Sequence, residues 1–324
     1  MKVCVVGAGA IGSFIGAHLS LHSCQVDALA RGATAAALRA HGFRLEQAGA
    51  LLTAPVRVVE VGAPSGIQDL VVLAVKGPSL NGVAEKITPM LGPDTMVLTA
   101  MNGVPWWFFL SGGGGACDGM RLTSVDPDGR IAAAIPDRHI IGCVVHATCS
   151  VVEPGLVRHG FGNELIIGEP AGSISARVMA LAELLRSAGF KTTVSARIQA
   201  DIWYKLWGNM TMNPISALTG ATCDRILDDP LLNRYALSIM AEAAAIGERI
   251  GCPISQSGED RNAVTRKLGA FKTSMLRDAE AGRPLEIDAL LTGVTEIGGK
   301  VGVPTPHTDA LLGMVRVFQE AHRG

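Results

Sequence analysis

Lys2-Val3-Cys4-Val5-Val6-Gly7-Ala8-Gly9-Ala10-Ile11-Gly12 is the stretch whose order of residue types decides the fold. Lys2 to Val6 is a short β-branched run that reads as a strand, and the apolar run from Gly12 to about Leu21 reads as a helix. Between them three glycines stand at the spacing G-x-G-x-x-G. Gly7 makes the tight turn out of the strand, Gly9 lets the backbone approach a pyrophosphate at the helix N-terminus, and Gly12 lets helix and strand pack closely. Ala10 and Ile11 belong to that same phosphate-facing turn. A Gly-rich turn can be purely structural. With a hydrophobic strand before it and a helix after it, the motif reads as the opening of a dinucleotide-binding unit.

The second strand, Gln25 to Ala30, ends in Arg31 and not in the acid that would grip a ribose 2′-hydroxyl; Asp27 lies too early, inside the strand. This pattern favours a 2′-phosphate and hence NADP(H). The alternative for Arg31 is a solvated loop arginine, since arginines are mostly exposed in any fold. Asp69 to Val75 and Thr95 to Ala100 read as buried parallel strands, with a helix from Ser79 to Leu91 between them. Lys76 and Asn102 then fall at the carboxyl edge of the sheet, where open α/β sheets place their ligands. Either residue is also common in an ordinary turn.

A chain of 324 residues, 48% hydrophobic and with formal net charge -1, suits a cytoplasmic two-domain α/β protein and gives no electrostatic reason to expect nucleic acid as a partner. Residues 3–26 carry no Asp, Glu, Lys or Arg. Gly7, Gly9, Gly12, Gly16, His18, Ser20, His22 and Ser23 nevertheless interrupt the apolar run that a membrane span or signal segment needs. The seven cysteines include no C-x-x-C pair and sit mostly in apolar runs, as reduced core thiols do, and the eight histidines are scattered. No metal site is implied.

Between Trp106 and Arg138 the pattern weakens. Trp106 to Phe109 either wall a pocket or pack under a long loop; Ser111 to Gly115 reads as a flexible loop, and Asp126-Pro127-Asp128-Gly129 as a hairpin turn. His139 to Ser150, Gly155 to His159 and Glu164 to Gly168 alternate like the strands of a meander, followed by a helix, Ala176 to Ala188, and a last strand, Lys191 to Ser195. From Arg197 on, no strand pattern survives. The organisation predicted is an NADP-binding Rossmann-type domain over residues 1–196, a doubly wound α/β sheet, and an all-helical substrate and catalytic domain over residues 197–324.

In that second part, Asp201, Lys205, Asn209 and Asn213 recur every fourth residue. Each step of four drifts only ~40° on a helix, so they form a narrow polar stripe, with Trp203, Leu206, Trp207 and Met210 packing away from it. A solvent-facing helix would show a broad charged face. The alternative is an Asp201–Lys205 i,i+4 ion pair on a surface helix. Pro214 is expected to end or kink this helix. A further helix runs from Leu231 to Ile250, closed by Gly251. Leu285-Glu286-Ile287-Asp288 enters another, where an acid in the first turn suits the helix dipole.

Taken together, these residues resemble the 2-dehydropantoate 2-reductase (ketopantoate reductase) family over nearly the whole chain. The motifs stand in the family's order: Gly7 to Gly12, Arg31, Val75-Lys76, Asn102-Gly103, Lys205 with Asn209 and Asn213-Pro214, Ser274-Met275, Leu285 to Asp288, and Val303-Pro304-Thr305-Pro306. The resemblance implies an NADPH-dependent reductase of a 2-oxo acid in pantothenate biosynthesis. By it, Lys205 is the general acid and Glu286 hydrogen-bonds at the reacting oxygen. Asn209 and Asn213 hold the substrate, Ser274 binds its carboxylate, and Lys76 and Asn102 lie near the nicotinamide. Cys223 and Phe271 depart from the pattern, standing where well-studied members carry substrate-contacting asparagines; Ser79 replaces a frequent glutamine. A pocket lined by Phe271, with Trp106, would suit a more apolar 2-oxo acid. The rival readings are an imine, opine-type or hydroxyacyl dehydrogenase on the same plan, and a non-catalytic NADP-binding sensor. An apolar helical domain either dimerises or forms its own core, and the sequence leaves both open.

Overall fold

Val3, Cys4, Val5 and Val6 are buried on both faces, which makes their strand the middle of a sheet and not an edge. The computed structural model describes residues 1–60, 66–112 and 115–322. Its strands in chain order are β1 (Lys2–Val6), β2 (Gln25–Leu29), β3 (Phe43–Gln47), β4 (Ala50–Ala54), β5 (Arg57–Val59), β6 (Gln68–Leu73), β7 (Leu91–Thr99), β8 (Ile140–His146), β9 (Cys149–Glu153), β10 (Leu156–His159), β11 (Glu164–Gly168) and β12 (Lys191–Val194). By contact the chain forms two compact units, one from residues 1–101 with 130–198, the other from residues 102–129 with those from 199 onward.

The first unit is a Rossmann-like sheet in the order β12-β11-β8-β7-β6-β1-β2-β5, parallel throughout except where β8 meets β11. The chain runs outward from β1 to β2, then returns to the other side of β1 at β6. That reversal opens a crevice at the carboxyl ends of β1 and β6. The helices of this unit are α1 (Ala10–Leu21), α2 (Gly32–His41), α3 (Gly77–Ile87), α4 (Arg130–Ala134) and α5 (Ala176–Ser187). Phe14 of α1 stacks on His159 and meets Phe190 edge-on, while His18 hydrogen-bonds Ala188 O and Gln47 Oε1.

The meander expected over residues 139–168 is instead divided between two sheets. β8 and β11 pair antiparallel in the main sheet, whereas β9 and β10 join a second sheet, β4-β3-β10-β9. Alternation reports which face of a strand is buried, not which strand is its neighbour. The β3–β4 hairpin has no counterpart in the sequence reading. Its turn is Ala48-Gly49, both at positive φ (51° and 80°), without the Asn or Asp that usually marks such a turn.

The second unit is helical: α6 (Ile198–Thr219), α7 (Cys223–Asp228), α8 (Pro230–Arg249), α9 (Gly258–Arg266), α10 (Ser274–Glu280), α11 (Gly293–Val301) and α12 (Pro306–Ala321). Residues 102–129, placed with the sheet by the expected division at 196, group by contact with these helices. Trp106, Trp107, Phe108 and Phe109 are at most 1% exposed, and the Phe108 ring lies 6.2 Å from that of Trp203. Those aromatics therefore pack as core. Asp126 to Gly129 is not a hairpin but a turn leading into α4, with Gly129 at φ 70°. Gly113 and Gly114 of the glycine-rich loop lie outside the described residues. Among the described residues no helix is long and apolar enough to cross a membrane.

Candidate active site

The carboxyl end of β1 is shaped by two glycines that nothing else could replace. Gly7 has φ 95°, and a Cβ there would meet Val75 Cγ1 at 2.7 Å and the Ala74 backbone at 2.9 Å. On Gly12 a Cβ would lie 2.1 Å from the Gly7 carbonyl oxygen. Gly9 is different, since a Cβ on it would meet nothing within 4 Å. Among the described residues no protein atom explains that glycine, whereas a group seated against the turn would. Gly9 is also the N-cap of α1, contributes no side-chain cap, and is followed by a first turn without acids. The N–H groups of Ala10, Ile11 and Gly12 precede the first intrahelical bond, Ser13 N to Gly9 O (2.9 Å), and so are free of the helix's own carbonyls. This cradle fits a pyrophosphate.

Ala74 N donates to Val6 O (2.9 Å), so the segment running into Lys76 is held beside the glycine turn. Lys76 is the N-cap of α3, with Pro78 in the first turn. Arg31 is exposed and is the N-cap of α2, just past β2. Asp27 cannot serve a ribose: it is 7% exposed and takes a bidentate grip from Arg57 at 2.9 and 2.6 Å. Among the described residues no carboxylate pairs with Arg31.

In the helical unit α6 carries the polar stripe. Its apolar side is locked onto α8 by two indole donors, Trp203 Nε1 to Ala243 O (3.1 Å) and Trp207 Nε1 to Met240 O (2.8 Å). With the tryptophans turned that way, the stripe faces elsewhere. Lys205 Nζ donates to Asn102 Oδ1 at 2.9 Å, joining residues 103 apart in sequence. This contact reaches outside α6, which an i,i+4 pair with Asp201 would not by itself provide. Pro214 does not end the helix, which continues to Thr219 because residues 210–217 are buried all round and packing holds it through the proline.

The remaining candidates are drawn in by contacts that sequence reasoning did not include. Thr273 caps α10, accepting from Leu276 N (3.1 Å), and its hydroxyl lies 2.6 Å from Ser216 Oγ, which donates to Asn213 O (2.9 Å). Ser274, exposed in the first turn of α10, is therefore tied through its neighbour to the end of the stripe. Glu286 precedes its helix instead of lying in the first turn, and it is only 8% exposed, so the surface dipole explanation does not describe it. Two residues on, Asp288–Thr292 is a π-helical turn, a form that recurs at functional sites. The Asn102-Gly103 turn packs on that segment: Val104 N donates to Ala289 O (2.8 Å), and a Cβ on Gly103 would lie 2.4 Å from the same oxygen. Ser216 and Thr273 are small hydroxyl residues with no spacing signal of their own, and only the fold reveals them.

Cys223 N donates to Phe271 O at 3.1 Å, which brings together the two residues that depart from the family pattern. Burial, with Asp224 adding to it, pushes the Cys223 thiol up to about 11, so it remains a neutral thiol. The Arg277 guanidinium stands 6.0 Å over the Phe271 ring.

Residues 3–106 match the family described as ketopantoate reductase PanE/ApbA, and residues 197–319 match its C-terminal domain. A 2-dehydropantoate 2-reductase of Mesorhizobium japonicum is 44% identical, over 98% of this chain and 97% of its own. A crystal structure described as a ketopantoate reductase of Ralstonia solanacearum MolK2 superposes with TM-score 0.95 at 58% identity, covering 99% of this chain and 98% of the other. D-mandelate dehydrogenase with NADH and anilino(oxo)acetate shares the fold with TM-score 0.86 at 21% identity, each chain fully covered. With two family domains in order and whole-length likeness on both sides, the chain belongs to the ketopantoate reductase family.

Proposed function

We propose that this oxidoreductase transfers hydride from NADPH to the carbonyl of a small 2-oxo acid, with Lys205 as the general acid. The product is the corresponding 2-hydroxy acid, pantoate where the substrate is 2-dehydropantoate. The observation that carries the reading is the 2.9 Å hydrogen bond from Lys205 to Asn102, which holds the ammonium against a neutral amide. As hydride reaches the carbonyl carbon, negative charge develops on oxygen. A lysine can supply both the positive charge and the proton, while Asn209 and Asn213 orient the substrate without competing for that proton. Glu286 accepts at the reacting oxygen's side, and Ser274 offers its hydroxyl to the carboxylate.

The cofactor supplies the hydride; Gly7 to Gly12 and Lys76 would hold its phosphates and nicotinamide side, and Arg31 its 2′-phosphate. The Cys223–Phe271 pair supports a more apolar substrate than 2-dehydropantoate, because a neutral buried thiol and a phenyl ring offer no amide to a hydroxyl group. The test is a panel of 2-oxo acids, from 2-dehydropantoate to branched and aromatic members, read by loss of NADPH or NADH absorbance, with and without added amine. The best substrate should be a branched or aromatic 2-oxo acid, oxidising NADPH without need of amine. A lead for 2-dehydropantoate of about 100-fold in kcat/KM, near the limit of small apolar pocket differences, would remove the apolar preference. No turnover with any of them would favour a sensor.

A further inference from the structure

We propose that Arg261 is a receptor for the substrate's carboxylate, since its guanidinium lies against α6 at Gly208, three residues along the helix from Lys205, with no acidic partner among the described residues. This rests on the 2-oxo acid reading above. Arg261 projects from α9 onto the position of Gly208 in the middle of α6. A Cβ on Gly208 would lie 2.9 Å from Nη2, 3.2 Å from Cζ and 3.3 Å from Nε of Arg261. Three atoms of one plane at nearly one distance describe a guanidinium laid on the helix backbone. Glycine is a poor residue for a helix interior, so its place here has a packing reason. Tyr204 closes the other side, with its ring centroid 5.7 Å from the Arg261 carbon and its hydroxyl anchored on Gln256 Oε1 at 2.6 Å.

What the guanidinium lacks is an anion. Among the described residues the guanidinium makes one hydrogen bond, Nη1 to Thr265 Oγ1 (3.2 Å) on its own helix, and its buried Nε has no acceptor. Among the described residues no carboxylate pairs with it. Asp260, its neighbour, is occupied by Ser257. A rigid five-donor fork, stacked on an aromatic ring and lacking a counterion, matches a planar carboxylate. Gly208 and Lys205 are three residues apart on one helix, positions whose Cβ atoms stand about 5–6 Å from each other. In a 2-oxo acid the carbonyl carbon is bonded directly to the carboxylate carbon. A carboxylate held at Arg261 therefore leaves the carbonyl oxygen near Lys205, and Ser274 adds a neutral hydrogen bond that carries no charge of its own.

Arg261→Gln and Arg261→Lys test this, with three readouts: steady-state kinetics on a 2-oxo acid and its methyl ester, NADPH Kd, and calorimetric titration with oxamate, a carboxylate that is not reduced. In Arg261→Gln the KM for the acid should rise about 10- to 100-fold, with a smaller change in kcat, and the preference for acid over ester should fall by the same factor. NADPH Kd should stay at its wild-type value. Arg261→Lys keeps charge but loses the fork, so it should recover part of the loss; if the Gln variant fails to fold, the Lys variant alone should show a five-fold or greater rise in KM. A folded variant with an unchanged acid-over-ester preference overturns the assignment. If the wild-type protein reduces no 2-oxo acid, the functional reading fails and oxamate judges Arg261 separately. Binding lost in Arg261→Gln supports the receptor; equal binding, or none to the wild type, overturns it.

Discussion

Lys205 is the general acid of the proposed reaction, and its contact with Asn102 defines what its removal should do. Losing a positioned acid typically costs about 10²- to 10⁴-fold in rate, so Lys205→Ala should lose that much kcat with NADPH Kd near normal. Were the lysine an exposed ion-pair member worth about 0–1 kcal/mol, the variant would melt slightly lower and turn over normally. Near-normal kcat in stopped-flow assays would take Lys205 out of the mechanism. Arg31 sits at the same scale. It is exposed and free of any described carboxylate, while Asp27, on the strand that precedes it, is bound by Arg57. Arg31→Ala should therefore weaken NADPH far more than NADH, because only the former offers a phosphate to a guanidinium. Equal losses, measured by fluorescence titration, would sink the phosphate assignment.

At the level of elements, the β1–turn–α1 unit separates two kinds of glycine that look alike in sequence. Gly12→Ala drives a methyl to 2.1 Å from the Gly7 oxygen and should lower the melting temperature as well as abolish cofactor binding. Gly9→Ala adds a methyl that meets no protein atom, so the melting temperature of the cofactor-free protein should stay within a degree or two of wild type. Its NADPH affinity should nevertheless drop steeply, since the methyl occupies the space the cradle leaves open. Stable folding with unchanged affinity would place the pyrophosphate elsewhere. Helix α6 teaches a related lesson, because Pro214 argued for a break where burial on all sides instead holds one helix from Ile198 to Thr219. The β3–β4 hairpin shows the converse: its Ala48-Gly49 turn lacks the usual side-chain cue, and its strands are visible only in their pairing.

For the molecule as a whole, two carboxylates tie distant parts of the helical unit together. Glu242 on α8 accepts from the N–H groups of His307 (2.8 Å) and Thr308 (2.9 Å) and from the Thr308 hydroxyl (2.6 Å), and so caps α12. Glu296 accepts from Thr123 N (2.8 Å), its hydroxyl (2.8 Å) and Ser124 N (2.9 Å), binding the 102–129 segment to α11. Burial alone would raise both pKa values, but the hydrogen bonds from Thr308 and His307, and from Ser124 and Thr123, outweigh it and hold both below the usual range. With the folded pKa depressed, their stabilisation is complete above the unfolded value of about 4.3 and disappears as pH falls through the folded one. Melting temperature should accordingly drop between pH 5 and pH 3, in a range set by about 4.3 and the depressed values below it. Glu242→Gln should cost about 1–3 kcal/mol at pH 7 and flatten that dependence. The same acid drop in the variant, followed by circular dichroism, would assign the effect to other groups.

Local chemistry alone determined the strand–turn–helix opening, the parallel core strands, the helical second half and the Asp201–Lys205–Asn209–Asn213 stripe. Each follows from the backbone freedom of glycine or from a period of two or 3.6 residues, and these are properties of neighbours along the chain. The motif order likewise pointed to the family that whole-length comparison shows. Tertiary structure decided what depends on residues far apart. Residues 102–129 join the helices because four buried aromatic rings need that core, and β8 and β9 part into different sheets although only Ala147 and Thr148 lie between them. Lys205 meets Asn102, Thr273 meets Ser216, and Arg261 lies on Gly208. Such contacts carry no period and no spacing; they exist only once the chain has closed on itself, which is why a polar stripe could be read from the sequence and its partners could not.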